Sequence, residues 1–230
     1  MIRLYVDHFF EVGKVVPLPS DERRYFQSVR RGKGDVCLFN RQGQIALGQM
    51  DEDGFHVLEV RLVYVPSYRL RVAMALPDLA ILPLVIRGLS ELGVEQLELF
   101  RGERSQGSVK KVNLSRMQKA AIEACRQCGR GEPLDISLRD KGLHEMEFRE
   151  TNRIIFDESE APSTTQSFAL EESTVLLLGS EGGWTKSERD IARQSGFVAV
   201  HFRTPILRVE TAALAGSLWA LERIFKVSGD

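Results

Sequence analysis

A chain of 230 residues, 43% hydrophobic and 27% charged, has the composition of a globular protein rather than a disordered one, and its length allows one large domain or two smaller ones. Lysine plus arginine (31) nearly cancels aspartate plus glutamate (32), which excludes a uniformly basic nucleic-acid binder but not a locally basic one. No run of apolar residues is long enough for a membrane span. The start, MIRLYVDHFFEVGK, lacks the apolar run and small-residue cleavage site of a signal peptide. Cys37, Cys125 and Cys128 are too few for a disulfide framework, so the reducing cytoplasm is the expected compartment.

The first 68 residues read as β-rich. Short apolar runs at Ile2–Val6, Val36–Asn40, Ile45–Met50 and Gly54–Val65 are separated by turn residues, including Gly32–Gly34. Arg41–Gln44 contains a glycine between two such runs and reads as a hairpin turn. A short helix is expected at Asp21–Val29 with Ser20 as its N-cap.

From Tyr68 the pattern alternates. Strands are expected at Arg71–Leu76, Gln96–Phe100, Leu134–Ser137, Arg153–Phe156, Thr174–Leu178 and Phe197–Phe202. Helices are expected at Leu79–Leu92, Lys111–Cys128, Lys186–Gln194 and Val209–Phe225. Residues 159–173, rich in Ser, Thr, Glu and Pro, read as a loop. The fold class is therefore α/β, with a mostly parallel sheet and helices on both faces.

Charge is unevenly spread. Residues 23–41 carry a net +5, residues 101–130 a net +6, and residues 145–190 a net −7. Clustered basic charge attracts a phosphate backbone whatever the total, although most charge runs are simply solvated faces. Two basic stretches far apart in sequence are expected to meet on one RNA-facing surface.

The chemistry concentrates near the C-terminus. The strand at Thr174–Leu178 runs into Gly179-Ser180-Glu181-Gly182-Gly183, and Thr185 with Glu188 forms a capping box for the next helix. Ligands of open α/β sheets sit outside the carboxyl ends of strands, where this loop lies. It is neither a P-loop nor a dinucleotide fingerprint, and by itself such a glycine-rich turn is more often a tight strand-to-helix connection than a site. The next unit repeats the design: a strand, the loop Arg203–Arg208, then a helix with Glu210 in its first turn. The two strands are expected to be neighbours that deliver both loops to one sheet edge. Cys125 and Cys128 form C-x-x-C inside a predicted helix with no second ligand pair, so no metal site is expected.

LLLGSEGGWTKSE at Leu176–Glu188 and PILRVETAAL at Pro205–Leu214 resemble the cofactor and knot motifs of the SPOUT superfamily, the trefoil-knotted, S-adenosylmethionine-dependent RNA methyltransferases. ELGV at Glu91–Val94, GERS at Gly102–Ser105, QKAAIEACRQCGR at Gln118–Arg130, RLY at Arg3–Tyr5 and the Val29–Asp35 stretch extend the resemblance along nearly the whole chain. They are most similar to the bacterial small-subunit (16S) rRNA uridine-N3 methyltransferase family.

The resemblance implies a PUA-like RNA-binding β-barrel at 1–68 and a methyltransferase domain at 69–230 with a deep C-terminal trefoil knot. It implies a homodimer through the last helix, S-adenosylmethionine as methyl donor and no metal. Carried over by residue, Leu178, Gly179, Glu181, Gly182, Gly183, His201, Phe202, Ile206 and Leu207 would bind the donor. Arg208 and Glu181 would be catalytic, and Arg3, Arg30, Arg31, Arg104 and Arg130 would contact RNA. The chain departs from the family at Ser180, where proline is usual, and at Arg203-Thr204-Pro205, where glycine–x–arginine is usual. Arg87 and Gly88 stand where glutamine and lysine are more usual. Three alternatives stay open here: a non-catalytic RNA-binding protein that kept the fold, a related enzyme acting on another base, and a nucleotide-dependent metabolic enzyme.

Overall fold

The computed structural model describes residues 1–29, 34–63, 68–159 and 173–228. Arg30, Arg31, the Gly32 end of the expected turn and nearly all of the loop read at 159–173 lie outside the described residues. The chain divides into two compact units, Met1–Pro66 with Ile122–Pro133, and Ser67–Ala121 with Leu134–Asp230.

In the first unit, strands β1 (Ile2–Tyr5), β2 (Val15–Val16), β3 (Val36–Phe39), β4 (Gln44–Met50) and β5 (Phe55–Leu62) form one sheet in the order β1-β3-β4-β5-β2. β1 pairs parallel with β3, and the other pairs are antiparallel. The expected hairpin joins β3 to β4. Gly43 takes φ 69°, and the Asn40 carboxamide accepts hydrogen bonds from the backbone N–H of Gln42 and Gln44. Leu4, Leu38, Phe10, Phe55 and Val57 fill the core. The two-residue β2 was too short to be read from periodicity.

Helix α1 (Ser20–Ser28) begins one residue before the expected start. Pro19, not Ser20, is its cap: its backbone is extended, and its carbonyl accepts from Arg23 N. Glu22 turns inward, accepts from Tyr5 N and pairs with Arg126. Burial pushes its carboxyl up, with Arg126 opposing. The C-terminal part of the second basic stretch thus belongs to the first unit, where Arg126 is neutralised rather than displayed.

In the second unit, six strands lie parallel: β6 (Arg69–Ala75), β7 (Gln96–Phe100), β8 (Asp135–Arg139), β9 (Asn152–Phe156), β10 (Ser173–Leu178) and β11 (Val198–Val200). Their order is β11-β9-β10-β6-β7-β8. Helices α2 (Leu82–Glu91), α3 (Leu114–Cys128), α4 (Lys186–Gln194) and α5 (Val209–Ser228) alternate with them, as the sequence pattern predicted. A 3-10 turn at Val109–Lys111 precedes α3, which therefore starts later than expected.

Side-chain alternation divides the core between the two faces of the sheet. Leu70, Val72, Met74, Leu176 and Leu178 pack with residues of α2 and α5. Ala73, Ala75, Val175 and Leu177 pack on the other face with Trp184, Ala192 and Phe197. Contrary to the expectation from sequence, β10 and β11 are not neighbours, because β9 is hydrogen-bonded between them. All three are parallel, so their loops still leave from the same edge. No helix among the described residues is long and apolar enough to cross a membrane.

The C-x-x-C pair sits at the end of α3, and none of the three cysteines is in a disulfide. Cys125 donates from Sγ to Arg130 O, and burial pushes its thiol up to about 12. Cys128 is exposed. At pH 8 a thiol-reactive reagent should therefore modify Cys128 in the native protein and reach Cys125 only after denaturation, as read by peptide mapping.

On β6, Arg71 is held between two carboxylates. Its Nε donates to Glu150 at 2.6 Å, its Nη1 pairs with Glu98, and Glu98 also accepts from Arg139 Nε at 2.9 Å. Burial would raise the Glu150 carboxyl, but hydrogen bonds from Arg71 outweigh it and hold the group below its ordinary range. Arg71→Ala should cost about 3 kcal/mol of stability at pH 7, because Glu150 loses its guanidinium partner and the buried Glu98 keeps only Arg139. A depressed carboxyl stabilises above its unfolded pKa and loses that contribution as pH falls through its folded one. The gap between wild type and variant in urea midpoints should accordingly narrow as the pH drops through the carboxylate range.

Candidate functional site

The parallel strands bring the loops after β6, β9, β10 and β11 to one edge of the sheet, around a cavity of about 490 Å³. Its wall is apolar: Phe156, Leu178, Phe202, Leu207, Val209 and Ala212 line it. Phe156 and Phe202 stack with centroids 5.1 Å apart, and Trp219 of α5 meets the Phe156 ring edge-on. The rim is acidic, with Asp78, Glu158, Glu181 and Glu210 against the cation of Arg208.

The glycine-rich loop is fixed at both ends. Trp184 is buried at 1% exposure, donates its indole N–H to Phe156 O at 2.8 Å and lies against Gly179. The expected capping box is present: Glu188 N donates to Thr185 Oγ1 and Thr185 N to Glu188 Oε2. Between these anchors Gly183 takes φ 64°. Glu181 accepts a hydrogen bond on Oε1 from Asp78 N at 2.9 Å, which links the loops after β10 and β6. Among the described residues no ion pair joins Glu181 to Arg208, although both line the cavity.

Of the residues the sequence nominated, Leu178, Gly179, Glu181, Gly183, His201, Phe202, Ile206, Leu207 and Arg208 all line this cavity. Ile206 is 84% exposed and Arg208 is exposed. Gly182 is not among the lining residues; its carbonyl accepts from Arg104 Nη1 at 3.0 Å.

The nominated arginines are more scattered. Arg3 donates from Nη1 to Gly129 O and from Nη2 to Arg130 O, so two of its nitrogens serve the first unit's own backbone. Arg104 belongs to the second unit and faces the glycine-rich loop. Arg30 and Arg31 lie outside the described residues.

Sequence reasoning missed Asp157, which follows β9, is 3% exposed and lines the cavity. Arg189 of α4 donates to it from Nε at 2.6 Å and from Nη2 at 3.2 Å, and Ser159 donates to it as well. Burial would raise this carboxyl, but those hydrogen bonds keep it below the usual range. Its only sequence signal was its position one residue beyond an expected strand. No group of three or more His, Cys, Asp or Glu residues able to hold a metal occurs among the described residues.

Comparison with known proteins agrees with this arrangement. The family model described as RNA methyltransferase domain matches residues 65–220. A ribosomal RNA small subunit methyltransferase E from Buchnera aphidicola (subsp. Acyrthosiphon pisum) is 25% identical over 97% of this chain and 93% of that protein. Its namesake from Aquifex aeolicus is 26% identical over 91% and 88%. The crystal structure of a ribosomal RNA small subunit methyltransferase E from Neisseria gonorrhoeae, bound to S-adenosyl methionine, superposes with a TM-score of 0.85. It is 24% identical, covers 97% of this chain and 98% of its own, and so shares the fold. With the family model matching well over half of its residues, the chain belongs to the RNA methyltransferase domain family.

Proposed function

We propose that the protein transfers a methyl group from S-adenosylmethionine to N3 of a uridine in small-subunit (16S) ribosomal RNA. The observation that carries this reading is the cavity itself, an apolar slot with an acidic rim at the carboxyl edge of a parallel sheet. Relatives 25% and 26% identical over most of the chain, named for small-subunit rRNA methylation, support the RNA class. The residues fit the donor: Leu178, Phe202, Ile206 and Leu207 offer an apolar bed for an adenine, and the rim carboxylates suit cationic groups. Gly179 and Gly183 let the backbone approach closely.

When bound, S-adenosylmethionine supplies an electrophilic sulfonium methyl group. The chain must hold uridine N3 in line with it and stabilise the anion left when the N3 proton departs. Arg208, exposed at the cavity, supplies a fixed positive charge for that anion. Glu181 orients the base or accepts the proton; its Oε1 is held by Asp78 N, and Oε2 carries no hydrogen bond among the described residues. N3 lies on the Watson–Crick edge, so the base must be unpaired or flipped out.

The rest of the reading follows the family. The first unit is a PUA-like RNA-binding barrel, and the second is the catalytic domain with a C-terminal trefoil knot. Arg3, Arg30, Arg31 and Arg130 contact RNA, Arg3 alongside the backbone contacts it already makes, whereas Arg104 hydrogen-bonds the glycine-rich loop. The protein acts as a homodimer in the cytoplasm, with α5, whose Leu218 and Phe225 are half-exposed, at the interface.

Purified protein, tritiated donor and small ribosomal subunits from a methylase-deficient strain should yield label on uridine N3. Label on another base would leave a related enzyme of different specificity. No donor binding at millimolar concentration by calorimetry would leave a non-catalytic RNA binder. Arg208→Ala should lower kcat about 100-fold while donor affinity changes only a few-fold, as measured by single-turnover kinetics and calorimetry.

A further inference from the structure

The loop that follows β7, Arg101–Gln106, carries positive charge, which favours a phosphate contact for Arg104. Its hydrogen bonds lead elsewhere. Arg104 Nη1 donates to Gly182 O at 3.0 Å, and the Ser180 hydroxyl donates to Arg104 O at 2.9 Å. One residue of the β7 loop therefore gives a hydrogen bond to the glycine-rich loop and receives one from it. The partners are 76 and 78 positions apart in sequence.

Two further observations close the joint. Glu188, 2% exposed, uses Oε2 for the α4 cap and accepts from Glu103 N on Oε1 at 2.9 Å. A Cβ placed on Gly182 would stand 2.8 Å from the Arg104 Cβ, so the backbone there lies directly against the arginine stem. Ser180 is 6% exposed, lines the cavity and belongs to the same joint. A loop of glycines has high intrinsic freedom. This reciprocal pair of hydrogen bonds restrains its middle, between the Trp184 and Gly179 anchors.

The geometry points to Arg104 and Ser180 as positioning residues for the donor cavity, holding the Gly179–Gly183 loop in its ligand-binding shape from the β7 side. This deepens the proposed function and rests on its assignment of the cavity to a methyl donor. It also separates Arg104 from the RNA contacts to which its charge alone would assign it.

The test uses the full-length protein with Ser180→Ala, Ser180→Thr, Arg104→Ala and the Ala/Ala double variant, each checked for native circular dichroism. S-adenosylmethionine is titrated without RNA. Ser180→Ala and Arg104→Ala should each raise the donor Kd about 5–10-fold, which is the worth of one such hydrogen bond. The double variant should fall short of the product of the two, because both act through one joint. Ser180→Thr, which keeps the hydroxyl, should return the affinity to within about 2-fold of wild type.

Hydrogen exchange in the ligand-free protein gives a second reading that needs no donor. Amides 180–183 should exchange about 10-fold faster in both alanine variants, with β10 unchanged. An unaltered donor Kd together with unaltered exchange would overturn the inference. So would an Arg104→Ala variant whose RNA-binding salt slope drops by about one while donor affinity holds, since that marks a phosphate ligand. If wild type itself binds no donor, the proposed function fails, and the exchange measurement still decides whether the joint restrains the loop.

Discussion

Parallel strand pairing is the constraint from which the site follows. Adjacent parallel strands cannot be joined by a tight hairpin, so each connection must leave one edge, cross a face and re-enter at the other. In the second unit every strand pair is parallel, and the exits of β6, β7, β9, β10 and β11 consequently share an edge. Loops from distant parts of the chain meet there without any local signal directing them to one another. The cavity is the space those loops enclose, and its apolar wall continues the cores on either side of the sheet.

Placing polar groups at such an edge requires partners. Asp157 is buried and charged because Arg189 of α4 supplies two hydrogen bonds. Glu188 is buried because it caps its own helix and also receives Glu103 N. The same economy holds away from the site, where Arg71 links Glu98 and Glu150, and in the first unit, where Glu22 meets Arg126. Each carboxylate sits where a cation or backbone N–H satisfies it, as the cost of an unpaired buried charge demands.

Charge counts along the sequence consequently overstate what is available to a ligand. The segment at 101–130 holds a net +6, yet Arg126 is paired internally and Arg104 faces a carbonyl. Arg3, outside both basic stretches, is likewise bound to backbone carbonyls. Counting residues measures charge, whereas recognition depends also on where folding commits each charged group's hydrogen bonds.

Local chemistry was legible in the sequence. The capping box at Thr185 and Glu188, the hairpin glycine at 43, the boundaries of α4 and the alternation of strands and helices depend on residues within a few positions of one another, and short-range sterics and hydrogen bonding decide them. Of the ten residues that the motif resemblance nominated for donor binding and catalysis, all but Gly182 line the cavity. What it left open was decided by tertiary structure: the insertion of β9 between β10 and β11, the recruitment of Asp157, and the hydrogen bond from Arg104 to Gly182. Each depends on which strands become neighbours, and that is set by long-range packing of apolar faces, which periodicity along the chain does not encode.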